Sequence, residues 1–195
     1  MTATLPRAIA PPCAGGSSRG PPVRREPGPV PSVIRFVVQL HDATTLHFDL
    51  RLELDGALAS WAVPKGPSMD PAVRRLAVQV ADHDLAAGEF EGVHDGAARG
   101  TGAVIVWDEG GATLVRRSED HLSFELHGTK LHGRFGLTRT GGGRWILVKA
   151  DDDEAQRGSD VVATLPRSVR SGRTWQDVAA GSGPRNSQDG GAAPG

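Results

Sequence analysis

Residues 46–54 read LHFDLRLEL. Side chains alternate between the two faces of a strand. Leu46, Phe48, Leu50, Leu52 and Leu54 therefore point one way, and His47, Asp49, Arg51 and Glu53 point the other. The leucine face is core. The opposite face carries an imidazole, a carboxylate, a guanidinium and a second carboxylate in a row. The same grain runs through the neighbouring segments: 34–40, 57–63, 75–80, 102–107, 112–117, 122–128, 134–139 and 144–150 are all rich in β-branched, aromatic or alternating apolar residues. Turn signals separate them at Asp55-Gly56, Glu109-Gly110-Gly111 and Thr140-Gly141-Gly142-Gly143. About nine short strands with hairpin-length connections predict an all-β fold, a compact antiparallel β-barrel with few short helices and disordered termini. Helical stretches are confined to 70–74 and 174–180. In the second, Thr174 and Asp177 have the spacing of a capping box, with Asp in place of Glu.

The spacing on the polar face has chemical content. His-x-Asp on one strand face sets two metal-ligand types roughly 6–7 Å apart at Cα, close enough for both side chains to reach one divalent ion. His41 ends the preceding strand, with a short loop to His47. Two imidazoles and one carboxylate, His41, His47 and Asp49, make a three-ligand metal site with open positions. Arg51, one step further along, can hold an anion bound to that ion. Lys65 sits in the rigid turn of WAVPKGPS, Arg75 opens a strand, and His83 follows one in VADHD. His83 suits a general acid, a phosphate ligand or a fourth metal ligand. His94, His121, His127 and His132 have no ligand-like spacing and read as structural or exposed.

Composition bounds the rest. The chain has 195 residues with 26 glycines, 14 prolines, 22 basic and 23 acidic side chains. A fold of one domain plus tails is expected, and the charge balance excludes a uniformly basic nucleic-acid binder. Between 33 and 150 there are 13 basic and 15 acidic side chains, a net of -2. General attraction to DNA is therefore weak, and recognition falls to local cations. Cys13 is the only cysteine, so there is no internal disulfide and a reducing, cytoplasmic setting is expected. No apolar run is long enough to span a membrane, and MTATLPRAIAPPCAGG lacks the apolar core of a secretory signal. Residues 1–32 form a Pro/Gly/Arg-rich arm, 33–153 the β-barrel domain, 154–182 an extension with a short helix, and 183–195 a low-complexity tail; arm and tail are expected to be disordered.

The stretch FVVQLHDATTLHFDLRLELDGALASWAVPKGPS resembles the opening of the 3′-phosphoesterase domain of bacterial DNA ligase D, whose pattern is close to VxQxHxAxxLHxDxRLExxGxLxSWAxPKGPS. The likeness continues through RRLAVQVADH, GEFEG, GTGAVIVWDEG and LSFELHGTKLHGRFGLTR to WILVKADDD, covering about 34–153. PRSVRSGRTWQDVA resembles a segment that follows this domain in ligase D-type chains. The resemblance implies a β-barrel phosphoesterase using manganese or another divalent transition metal, acting at 3′ ends of DNA or RNA-tailed DNA in break repair by non-homologous end joining. It implies removal of a 3′-terminal ribonucleoside and of a 3′-phosphate. By residue, it assigns the metal to His41, His47 and Asp49, the scissile phosphate to Arg51 and His83, supporting basic roles to Lys65 and Arg75, and a polar role beside the site to Gln39. A monomer in the cytoplasm, at the nucleoid, with a separate end-joining ligase, polymerase or end-binding protein as partner, is the implied setting. The chain lacks the Lys-x-Asp-Gly motif of ligase chemistry. It departs from the family pattern in three places. A family glutamate is Ala81, a family tyrosine is Ala87, and Arg99 takes the place of a tyrosine before Gly100. These departures leave a competing expectation, a weakened module of the same fold that binds DNA ends without turnover. A two-histidine, one-carboxylate iron oxygenase and a purely structural β domain are the remaining alternatives.

Overall fold

A computed structural model describes residues 32–94 and 102–181. The proposed arm up to residue 31, the tail, Cys13 and Arg99 lie outside them, and Ser32, the arm's last residue, is instead the first residue of a strand. Nine strands form one antiparallel sheet: β1 (Ser32–Asp42), β2 (Leu46–Leu54), β3 (Ala57–Val63), β4 (Arg75–Gln79), β5 (Gly92–His94), β6 (Gly102–Arg117), β7 (His121–Gly128), β8 (His132–Gly141) and β9 (Arg144–Lys149). Their order is β1-β2-β3-β4-β9-β8-β7-β6, and β6 pairs back onto β1. Eight strands thus close a barrel, leaving no open edge in the ring. β5 adds to β6 beyond it. Phe36, Val38, Leu40, Phe48, Leu50, Leu52, Trp61, Phe124, Phe135 and Leu147 belong to one buried core cluster. The all-β barrel expected from the alternating segments is the observed fold.

Local chemistry explains the hairpins. β2 and β3 meet at Asp55-Gly56 with φ of 53° and 82°, the two left-handed residues that match the twist of a tight hairpin. The Glu109-Gly110-Gly111 turn does not form: 102–107 and 112–117 are one 16-residue strand, β6. The two segments look separate because the buried positions change phase. Ala103, Ile105 and Trp107 face the core, and so does Ala112. A bulge opposite Val38/Gln39, where Val38 pairs Asp108 and Gln39 pairs Val106, inserts the extra residue that shifts the alternation. Gly110 is a close-approach glycine inside this strand. A Cβ there would stand 2.3 Å from the His127 carbonyl oxygen. Gly110→Ala should accordingly cost about 1–3 kcal/mol, as overpacking does, read as a lowered urea midpoint with an unchanged slope.

The 70–74 helix is also absent; Asp70 instead closes a turn by accepting from the Val73 amide. The 174–180 helix is present as α2 (Trp175–Ala179), with Thr174 and Asp177 forming the reciprocal capping box. A further short helix, α1 (Val161–Thr164), precedes it. Val161 and Val178 join the core cluster. Lys130 Nζ and the Trp107 ring nitrogen both donate to the Leu165 carbonyl, tying this C-terminal segment to the barrel wall.

Candidate active site

The site lies on the outer face of β1, β2 and β3. Hydrogen-bonded register places His41 directly opposite His47, and Gln39 opposite Asp49. The side chains that share this face therefore come from alternate positions of both strands. Asp49 pairs Ala62 and Arg51 pairs Ser60 on β3. In most barrels such a face meets water. Here residues 80–91 fold back over it as a roof, with a 3-10 turn at Leu85–Glu89. Gly88 is buried in that turn, and a Cβ on it would come 3.2 Å from both Val37 and Leu58. The roof is why Gln39, Asp49 and Arg51 are buried rather than solvated.

His83 arrives through an irregularity. Trp61 pairs Gln79, and Leu58 bridges His83. One extra residue is accommodated between the two pairings, which turns His83 to the face of Leu58 and Ser60. His83 thereby lines the same cavity of about 570 Å³ as Gln39, His41, His47, Asp49 and Arg51.

The three proposed ligands converge. One ligand atom each from His41, His47 and Asp49 lie within 4.8 Å of one another, the group among the described residues that could hold a metal ion. The His41 and His47 rings are 5.1 Å apart between centroids. His47 Nδ1 lies 2.8 Å from the Thr45 carbonyl. A carbonyl only accepts, so Nδ1 carries the proton and Nε2 keeps its lone pair toward the cavity. His41 Nε2 is buried with no hydrogen-bond partner, an orphaned polar atom that a cation would satisfy. These donors, two imidazole nitrogens and a carboxylate, suit manganese, zinc or iron among divalent ions.

Electrostatics follow from burial and pairing. Burial pushes the His41 imidazolium pKa down, and the neighbouring His47 adds to this. His47 is raised, chiefly because its imidazolium form, protonated on Nε2 as well, would donate to Asp49; that second proton is the one a bound cation would displace. Burial opposes ionisation of Asp49, but the His47 hydrogen bond and the Arg51 charge outweigh it and hold the carboxyl below its ordinary range. Arg51 is clamped on three sides: Nε donates to Gln39 Oε1 at 2.8 Å, Nη1 to Ser60 Oγ at 2.9 Å and Nη2 to Asp49 Oδ2 at 3.0 Å. A guanidinium so held is a fixed cation beside the cavity.

Lys65 and Arg75 are not among the cavity's lining residues. Lys65 is exposed on the turn after β3. Arg75 shares a strand face with Ala77, which is in the core, so alternation sets it away from Asp49 and Arg51. Its Nε is buried without a hydrogen-bond partner. Conversely, His94 had no spacing to recommend it, yet it lines the cavity. Its ring lies 6.4 Å from His41 and stacks on Phe90 at 4.1 Å. Ala81 and Ala87, two of the positions that depart from the family pattern, line the cavity as well.

Comparison with known proteins agrees with this geometry. The DNA Ligase D 3′-phosphoesterase domain family matches residues 39–139. The multifunctional non-homologous end joining protein LigD of Pseudomonas aeruginosa is 51% identical over 73% of this chain and 18% of its own length. The Mycobacterium tuberculosis H37Rv multifunctional non-homologous end joining DNA repair protein LigD is 39% identical over 63% of this chain and 17% of its own. The Mycolicibacterium smegmatis LigD protein is 34% identical over 72% and 21%. The chain thus spans about a fifth of the length of these relatives. With the sequence pattern, the closed barrel and the two-histidine, one-aspartate cluster all in agreement, the chain belongs to the DNA ligase D 3′-phosphoesterase domain family.

Proposed function

We propose that the chain is a metal-dependent 3′-phosphoesterase that heals DNA or RNA-tailed DNA ends for non-homologous end joining. The observation that carries this reading is the convergence of His41, His47 and Asp49 within 4.8 Å on a cavity walled by Arg51. His41, His47 and Asp49 would hold a divalent ion, manganese in this reading, which would supply Lewis-acid polarisation of a phosphate oxygen. Arg51 offsets charge developing on the equatorial oxygens. His83 reaches the same phosphate as a hydrogen-bond or proton donor to the leaving oxygen. Gln39 orients Arg51. Lys65 and Arg75, outside the cavity, act on the nucleic-acid strand leading to it. A separate ligase, polymerase or end-binding protein would receive the resulting 3′-OH. Among the described residues no helix is long and apolar enough to cross a membrane, and the DNA substrate would place the protein in the cytoplasm at the nucleoid.

Ala81 and Ala87 on the cavity wall support a second reading, a weakened module that grips 3′ ends without turnover. One assay separates the two. Oligonucleotides ending in a 3′-phosphate or a 3′-ribonucleotide are incubated with manganese, magnesium or chelator. The phosphoesterase reading expects manganese-dependent release of phosphate or nucleoside, abolished by chelator. End binding without release favours the second reading.

A further inference from the structure

The loop that roofs the site is held in place by a residue outside the 39–139 family match. We infer that Arg170 is a positioning residue for the phosphoesterase reaction, acting through the roof and Gln39 on Arg51; the inference rests on the function proposed above.

The relay can be followed bond by bond. Gln39 is 2% exposed. Its Nε2 donates to the carbonyls of Ala87 and Phe90, both at 2.9 Å. These two acceptors fix the amide's orientation and leave Oε1 facing Arg51 Nε at 2.8 Å. Gln39 therefore presents its acceptor to Arg51 only while the roof carbonyls stay put. The 3-10 turn cannot hold itself there by burial, because Gly88 is its only buried residue.

Side chains hold it instead. Arg170 Nη1 reaches the Glu89 carbonyl at 3.1 Å and the Glu89 carboxylate at 2.9 Å. The rest of the guanidinium forks onto Glu109 of β6, Nε at 2.5 Å and Nη2 at 2.6 Å, a bidentate geometry that fixes direction as well as distance. Arg35 of β1 pairs with Glu89 and reaches Glu109 at 3.3 Å. Two arginines and two glutamates thus staple the roof to the barrel wall. Glu91, at the end of the roof, accepts from the Ser168 hydroxyl at 2.6 Å and from the Ser171 hydroxyl. The segment 168–171 touches the roof at three side chains, and is itself anchored through the Val169 amide to the Val106 carbonyl.

The metal ligands sit on β1 and β2, whose pairing does not depend on this staple. Loss of Arg170 should loosen Arg51 and leave ion binding alone. Misplacement of a catalytic group by about 1 Å can cost 10²-fold, and Arg35 retains part of the staple, so about a tenfold fall is expected. The test uses the full chain with manganese and a 3′-phosphoryl oligonucleotide, comparing Arg170→Gln, Gln39→Ala and the double variant. Arg170→Gln should lower kcat about tenfold with manganese affinity, titrated by electron paramagnetic resonance, unchanged. The double variant should be no slower than Gln39→Ala, because both lie on one relay. Arg170→Lys, keeping the charge without the fork, should fall between wild type and Arg170→Gln and guards against a variant that fails to fold. An active wild type whose Arg170→Gln keeps its kcat, or losses that multiply in the double variant, overturns the positioning role alone. A wild type that releases no phosphate overturns the phosphoesterase reading itself.

Discussion

His47→Ala should abolish manganese-dependent release of a 3′-phosphate while leaving the barrel folded. Removal of a residue that merely supports a metal ligand costs about 10–100-fold. Removal of a ligand should cost more, at least about 10³-fold in kcat, comparable with or beyond the loss of a charge-stabilising donor. Three features of His47 make it the most informative of the three ligands. Its ring is only half-buried, so alanine opens no large cavity in the core. Its tautomer is set by the Thr45 carbonyl, so the lost group is a preoriented Nε2 lone pair. And Asp49 keeps Arg51 as a partner at 3.0 Å, so the carboxylate is not stranded. Titration with manganese should show affinity lost together with activity, while the far-ultraviolet circular dichroism spectrum and melting temperature stay near wild type. Full activity in His47→Ala would remove the metal centre from the reaction.

Much of that centre is legible in residues 41–49. A strand's period of two puts His47, Asp49 and Arg51 on one face whatever else the chain does. A loop of a few residues makes His41 a neighbour of His47, and the register confirms them as a direct cross-strand pair. What the period cannot carry is any contact across a long sequence interval. Gln39 meets Ala87 at a separation of 48 residues, and nothing local in VADHDLAAGEFEG says that this loop covers β1 and β2. Burial of Arg51 and the place of His94 on the cavity wall were hidden for that reason. His83 and Trp107 illustrate a second limit. A one-residue irregularity in pairing changes which face a side chain takes, and it leaves no mark on composition. At β6 the shifted phase imitated two strands with a glycine turn between them. In fact, Gly110 is required by the close approach of β7. Arg75 shows the converse. Its position at the start of a strand is correct, but parity with Ala77 takes it off the face that a basic residue near the phosphate would need.

Arg51→Ala should lower kcat by about 10²–10³, the loss seen when one charge-stabilising donor is removed, or roughly 2.7–4 kcal/mol in the barrier. Arg51→Lys should recover little of it. Lysine places one charge at the end of a flexible stem, whereas Arg51 holds Gln39, Ser60 and Asp49 at once through a planar fork. A lysine ammonium cannot reach all three acceptors and still face the cavity with the same geometry. Arg51→Ala leaves Gln39 Oε1 without its donor in a buried setting, which should also cost about 1–3 kcal/mol of stability. That cost gives a thermal readout independent of activity. Manganese affinity should fall far less than kcat, since His41, His47 and Asp49 all remain. The ratio of the two losses separates the role of Arg51 from that of the ligands. If Arg51→Lys restored kcat, a simple positive charge would be enough and the clamp would be incidental. If Arg51→Ala kept its rate, the phosphate would have to seat on His83 at the roof side of the cavity. Gln39 would then orient nothing that matters to the reaction.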